Sequence, residues 1–376
     1  MTETENLFFR LLRISLGSPK ATDEKLNLPL QEGEWEAILA MAKKQSMCGF
    51  IFLAINKLAE SSGLPYAGMD KPLYKKFLMA AATVDMLSKN NHSACAKLDS
   101  FLKKEGIDYC IFKGHALDRY YGAQACLRQQ GDIDIWTPDT DIPQLVEFFK
   151  ARGIRYVAKY AHVGVKLSGK LPVEFHHTPA FFRAPVNNAR LQKWLQGHRD
   201  SSFDTELGAN VPSLEFDMVF LLLHIHHHLL FEGVGIRQFV DYFKILQFLN
   251  FNNFGNEILE KTFFTLESFG LRKFAAGSMY IMSEILGLDS NCLICAPDIE
   301  AGEIILSEIL SGGNFGKFDS RLGAESRQDA SLFSKSGRAL RALRRRVGLI
   351  SFSPGEFVMS PLWSVWQHFW RKSRKY

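Results

Sequence analysis

Asp132-Ile133-Asp134-Ile135, preceded by Gly131, alternates an acid with a branched aliphatic, and this alternation constrains the fold more than any other stretch of the chain. In an extended strand successive side chains point to opposite faces. Ile133 and Ile135 are therefore expected in a core, with Asp132 and Asp134 together on the other face. Pro172-Val173-Glu174-Phe175-His176 repeats the pattern. Val173 and Phe175 would point inward, leaving Glu174 free to face the two aspartates if the strands are neighbours. Carboxylates gathered on one sheet surface repel each other unless a cation sits among them. Hard divalent ions prefer such oxygen ligands and usually bring phosphate with them. The pattern points to metal-assisted phosphoryl or nucleotidyl transfer.

A chain of 376 residues is long enough for a substantial core and for more than one domain. With 47% hydrophobic and 23% charged residues it has an ordinary soluble composition, and its 31 Phe suggest a large core. Charge is uneven: residues 331–376 hold ten of the 45 Lys/Arg but only one of the 40 acids, Glu356. The tail is basic and the remainder mildly acidic. Six cysteines are scattered through mostly apolar runs, which suits reduced thiols and a cytoplasmic setting. Cys292 and Cys295 form a single Cys-x-x-Cys, too little for a zinc site. The first residues, MTETENLFFRLL, lack the basic-then-apolar order of a signal peptide. The longest apolar run, near residues 218–223, is too short to span a bilayer.

Helical periodicity at residues 6–16, 34–47 and 73–102 predicts an N-terminal helical segment over 1–104. The rhythm changes after Gly106. Strands are expected at 107–112, 132–136, 154–159, 162–168 and 171–176, the last two joined by a Gly169-Lys170 turn. A short helix at 114–121 and an amphipathic helix at 140–152, capped by Asp139 or Thr140, complete an α/β core over 105–210. The expected class is α+β: a small mixed sheet with helices on one side. Helices at 213–231, 236–250, 257–269 and 271–286 predict a bundle over 211–330, with an irregular segment at 312–336 and the basic aromatic tail at 331–376.

An apolar strand ending in Phe112-Lys113-Gly114, then Arg128, Gly131-Asp132-Ile133-Asp134 and Val173-Glu174-Phe175-His176, resembles the nucleotidyltransferase superfamily typified by DNA polymerase β. Within it the chain is most similar to a large, mostly uncharacterised bacterial family of nucleotidyltransferases. The resemblance covers about residues 105–180 well and extends more loosely to Leu249. It implies that Asp132 and Asp134 hold one or two Mg²⁺ or Mn²⁺ ions, that Glu174 completes the second metal site and helps to deprotonate the acceptor, and that Lys113, Gly114, Arg128 and Gly131 bind the nucleotide. It further implies that an NTP gives its NMP to an acceptor hydroxyl. The acceptor, whether protein, RNA or a small sugar-like molecule, is not specified. Where the wider superfamily carries Gly-Ser in the phosphate-binding turn, this chain has Lys113-Gly114-His115. Physically, Gly114 permits close backbone approach, a helix N-terminus favours anions and Lys113 adds a point charge.

His224, His226, His227 and His228 lie in one apolar stretch, with His176 and His177 directly after the Glu174 strand. His224 and His228 are one helical turn apart and could share a metal, as in a His-metal hydrolase. Ile225, however, occupies the place of that motif's glutamate. A packing or supporting role for His224 and His176 is favoured, the family often carrying a histidine that His224 matches. Arg237 and Asp241 are spaced either to pair along a helix or to line the cleft, as a similar arrangement in the family implies. Arg338, Arg341 and Arg344–346, followed by Trp363, Trp366, Phe369 and Trp370 and then Arg371, Lys372, Arg374 and Lys375, fit contact with a membrane surface, an acidic polymer or RNA, or else aromatics packed on the bundle with solvated cations. The alternative to catalysis is an inactive nucleotidyltransferase-fold module that binds nucleotide, acidic polymer or membrane.

Overall fold

Ile133, Ile135, Val173 and Phe175 have no exposed surface, as the alternation requires. The computed structural model describes all residues except 24–25, 32, 168–170, 253, 320, 322–346 and 374–376. Its chain order begins with helices α1 (Glu3–Leu16), α2 (Glu34–Gln45), α3 (Cys48–Ser62) and α4 (Lys71–Lys104). Strands β1 (Cys110–Ile111) and β2 (Ile133–Trp136), helix α5 (Ile142–Ala151), and strands β3 (Tyr156–Ala158), β4 (His162–Leu167) and β5 (Leu171–His176) follow. Helix α6 (Pro185–Gln196) and a hairpin of β6 (Ser201–Asp204) and β7 (Ala209–Pro212) lead to α7 (Leu214–Phe231) and α8 (Ile236–Phe251). Helices α9 (Asn256–Ser268), α10 (Arg272–Tyr280), α11 (Ile299–Gly312) and α12 (Pro354–Ser373) close the described chain.

The five-stranded sheet has the order β1-β2-β5-β4-β3, with β2 and β5 parallel and the other pairs antiparallel. One face, carrying Ile111, Ile133, Ile135, Val163, Val173 and Phe175, packs on the last turns of α4 and on α5. Helix α5 starts at Asp141, whose carboxylate accepts from the Gln144 N–H while Gln144 reaches back. That capping box, rather than Asp139 or Thr140, sets its first turn.

The expectation of helices on one side only is wrong. Phe112 and Trp136 stand at the ends of the polar face, and apolar rings there need cover. Helix α7 supplies it: Phe216 stacks on Trp136 at 5.5 Å and Phe220 meets Phe112 edge-on at 5.2 Å. A cleft is left between the rest of that face and α7. Residues 73–102 belong to one continuous 34-residue helix.

The N-terminal helices share a single apolar core with α7–α11 rather than forming a separate cap. Gln45 fastens them, accepting from the Ile236 N–H at 2.9 Å and donating to the Ile309 carbonyl at 2.8 Å. Helix α7 is, among the described residues, the one helix long and apolar enough to cross a membrane, yet 72% of it is buried. It is a core helix of this fold, mostly buried in protein and bordering the cleft with its histidines.

Candidate active site

Parallel pairing of β2 with β5 sets Asp134 directly beside Glu174. Asp132, just before β2, projects to the same face, and oxygens of all three carboxylates lie within 4.8 Å of one another. They form one wall of a cleft of about 1480 Å³ whose other lining includes Lys113, Gly131, Arg237 and residues of α7.

The charges in this wall shape each other. Asp134 raises the Asp132 carboxyl, helped by burial, from 3.8 to about 6. Asp134 is 4% exposed. Burial opposes its charge, but Lys113 and His176 outweigh that and hold its pKa below the ordinary value. Lys113 Nζ stands 3.0 Å and His176 Nε2 2.9 Å from Asp134 Oδ1. Burial likewise opposes the charge of Glu174, and His162 with His176 overcomes it, keeping the carboxylate well below the usual range. His162 Nε2 is 3.2 Å from Glu174 Oε1, and His176 Nε2 is 3.6 Å from Oε2.

Lys113 reaches this position through an unusual backbone. Its φ of 47° and that of Gly114, 41°, turn the chain sharply out of β1. Gly114 suits that turn because the left-handed region carries no β-carbon penalty for glycine. Gly114 then opens a seven-residue 3-10 turn, Gly114–Tyr120, not an α-helix. So short an element offers little macrodipole, and holding an anion falls to side chains and local amides. His115 is buried, neither ring nitrogen has a hydrogen-bond partner among the described residues, and burial lowers its pKa to about 4. It therefore packs inward and does not take the place of the superfamily's serine.

Arg128 also lines the cleft, with its guanidinium 3% exposed and forked onto Asp241, Nε–Oδ1 at 2.6 Å and Nη2–Oδ2 at 2.8 Å. Nη1 donates to Gln130 Oε1 at 2.6 Å, and Gln130 in turn donates to Asp118. The network fixes the segment that ends in Gly131-Asp132, so Arg128 and Asp241 position the site. Arg237 accordingly does not pair with Asp241. It donates to the Gln129 carbonyl at 3.2 Å, and among the described residues its Nε has no hydrogen-bond partner and no carboxylate forms an ion pair with it. A cation in that condition, lining the cleft, is suited to an anionic ligand.

The four histidines of α7 all line the cleft, and the buried His226 also meets the Phe274 ring edge-on at 5.1 Å. His224 and His228 share a hydrogen bond between their Nε2 atoms at 2.9 Å, and His228 Nδ1 lies 2.8 Å from Glu232. No third ligand converges on the His224–His228 pair among the described residues, so the hydrolase arrangement is not formed. His162 was not foreseen. A two-residue Gly169-Lys170 turn would set it opposite His177; the turn lies outside the described residues, but the observed register pairs Leu167 with Leu171 and His162 with His176. That one-residue difference turns His162 onto the functional face.

At the mouth of the cleft, Trp363, Trp366 and Trp370 of α12 surround Tyr160, with ring centroids 5.0–5.9 Å away. Trp363 also stacks on Phe181 at 5.0 Å. Trp363 and Trp370 are half-buried by these contacts, whereas Trp366, at 43%, and Phe369, at 64%, stay exposed. Arg338, Arg341, Arg344–346, Arg374 and Lys375 lie outside the described residues.

A family model described as an uncharacterised nucleotidyltransferase matches residues 31–287, from α2 through α10. The match spans more than half of the chain, and the chain belongs to that family. No curated protein and no solved structure matches it.

Proposed function

We propose that this nucleotidyltransferase-family protein uses Asp132, Asp134 and Glu174 to hold Mg²⁺ or Mn²⁺ and moves an NMP from an NTP to an acceptor hydroxyl. The observation that carries the reading is the convergence of three carboxylates, from two adjacent parallel strands, to within 4.8 Å. The donor set fits such an ion: it is all oxygen, and mutual repulsion already drives Asp132 up to about 6. When bound, the ion neutralises phosphate charge and polarises the reacting phosphoryl group.

The protein's own groups have distinct tasks. Lys113 and Arg237, two cations on the cleft wall, are suited to the phosphates, with the Gly114 and Gly131 backbone leaving room for close approach. The acceptor oxygen attacks the α-phosphorus, the bond to the bridging oxygen breaks, and pyrophosphate leaves. The hydroxyl proton passes to a carboxylate of the cluster. The cleft, at about 1480 Å³, exceeds the ~300–1,000 Å³ usual for one small ligand and has room for an acceptor beside the nucleotide. The acceptor is to be sought among protein hydroxyls, RNA 3′ ends and sugar-like molecules, in a cytoplasmic setting. The basic tail is a further candidate contact for a membrane surface or acidic polymer.

The test is label transfer from each of four α-³²P NTPs to components of a cell lysate, with Mg²⁺ or Mn²⁺. Transfer by the wild type, abolished in a folded Asp132→Ala/Asp134→Ala double variant, supports the reading. Unchanged transfer by that variant places the chemistry elsewhere. One observation favours a second reading, a non-catalytic nucleotide-binding module: Lys113 Nζ already neutralises Asp134 at 3.0 Å. NTP binding with no transfer to any acceptor would select it.

A further inference from the structure

The carboxylate cluster has a nitrogen-rich neighbour. His162 on β4 and His176 on β5 are directly paired across the antiparallel ladder, and Glu174 stands one step along on the same face. Position 164, opposite Glu174, is a glycine, so no side chain separates His162 from that carboxylate. Nitrogens of both imidazoles and an oxygen of Glu174 lie within 4.8 Å of one another. The rings are tilted by 45° with centroids 4.8 Å apart, so they converge without stacking flat. His162 Nε2 is buried and, although 3.2 Å from Glu174 Oε1, completes no hydrogen bond with any described residue. His176 Nε2, between Asp134 and Glu174, borders both clusters.

We propose that His162, Glu174 and His176 form a second divalent-metal site, sharing Glu174 with the aspartate site and selecting a borderline ion of the Mn²⁺–Zn²⁺ class over Mg²⁺. Two imidazoles and one carboxylate are the donor set that such ions favour, whereas Mg²⁺ prefers oxygen and retains its waters. Three ligands on two adjacent, hydrogen-bonded strands are held rigidly, and three protein donors leave positions open for water or a ligand oxygen. A carboxylate shared between sites brings two ions close, as two-metal phosphoryl-transfer centres require. The inference rests on the proposed transfer for the role of the first ion, but not for its own test.

Mn²⁺ alone is the probe, added to the full-length protein to two equivalents and followed by EPR titration and pulsed EPR. The expected result is two bound ions, with directly coordinated imidazole ¹⁴N couplings from one of them. His162→Ala should weaken the second ion by at least ~10-fold and diminish the nitrogen signal. If His162→Ala does not fold, His162→Gln replaces it, and the wild-type spectrum decides on its own. A wild-type spectrum without nitrogen coupling overturns the proposal, even if affinity falls in the variant, because the histidines then only orient carboxylates. Coupling unchanged in the His162 variant also overturns it. Label transfer without nitrogen coupling would remove this inference and leave the transferase reading standing; coupling without transfer would do the reverse.

Discussion

Asp241→Ala isolates the part of the site that operates through position rather than contact. Arg128 and Asp241 are each 3% exposed and joined by two hydrogen bonds, of 2.6 and 2.8 Å. An exposed ion pair of this kind contributes about 0–1 kcal/mol. Here water cannot replace the lost carboxylate. The guanidinium would keep Gln130 Oε1 as its side-chain acceptor among the described residues. Stranding a buried charge costs about 3–5 kcal/mol, and Tyr121, whose hydroxyl also donates to Asp241, adds about 1 kcal/mol. Total stabilities of about 5–15 kcal/mol make this a large fraction. Removing both charges, as Arg128→Met/Asp241→Leu, should recover most of the loss, because no ion is then left unpaired. Equilibrium urea unfolding of the wild type, both single variants and the double variant measures the cycle. A loss below about 1 kcal/mol in Asp241→Ala, or a double variant worse than either single one, would refute this reasoning. Arg128 would then be solvated and available to a ligand.

Three other outcomes follow from the same geometry. Asp132 is raised from 3.8 to about 6, so between those pH values the folded protein keeps a proton that the unfolded chain has released. The metal-free protein should therefore lose thermal stability as pH rises through that window. Asp132→Asn should be the more stable protein at pH 8 but not at pH 4, and Mg²⁺ or Mn²⁺ should stabilise the wild type alone; melting curves at both pH values check this. Arg237→Ala removes a buried cation with no described ion-pair partner. It should leave stability unchanged or higher while weakening NTP binding about tenfold or more in calorimetric titration. Gly114→Ala places a β-carbon on left-handed backbone at φ 41°, which should cost about 1–2 kcal/mol in unfolding and displace Lys113 from Asp134.

Local patterns were legible and distant partners were not. Asp132, Asp134 and Glu174 could be placed on one face because strand alternation is a period-two property readable within five residues. That β2 and β5 are neighbours came from the resemblance, since no local signal states which strands pair. The fork between Arg128 and Asp241 was not legible because the two partners lie 113 residues apart, Asp241 being on α8. His162 was missed because one residue of hairpin register decides its face. The β6–β7 hairpin escaped notice because Ser201–Asp204 is polar and largely exposed, leaving no apolar alternation to see. Helix α12 was obscured by Pro361 within it and by aromatics that meet Tyr160 and Phe181 from elsewhere in the chain.

Metal capture at the carboxylates is tested most directly by anomalous diffraction from crystals grown with Mn²⁺ and an NTP analogue that cannot be cleaved between the α- and β-phosphates. An anomalous peak coordinated by Asp132, Asp134 and Glu174, with triphosphate oxygens on the same ion and Lys113 turned toward them, is the expected result. Triphosphate bound with no ion at these three residues, or an ion bound only elsewhere in the cleft, would contradict it.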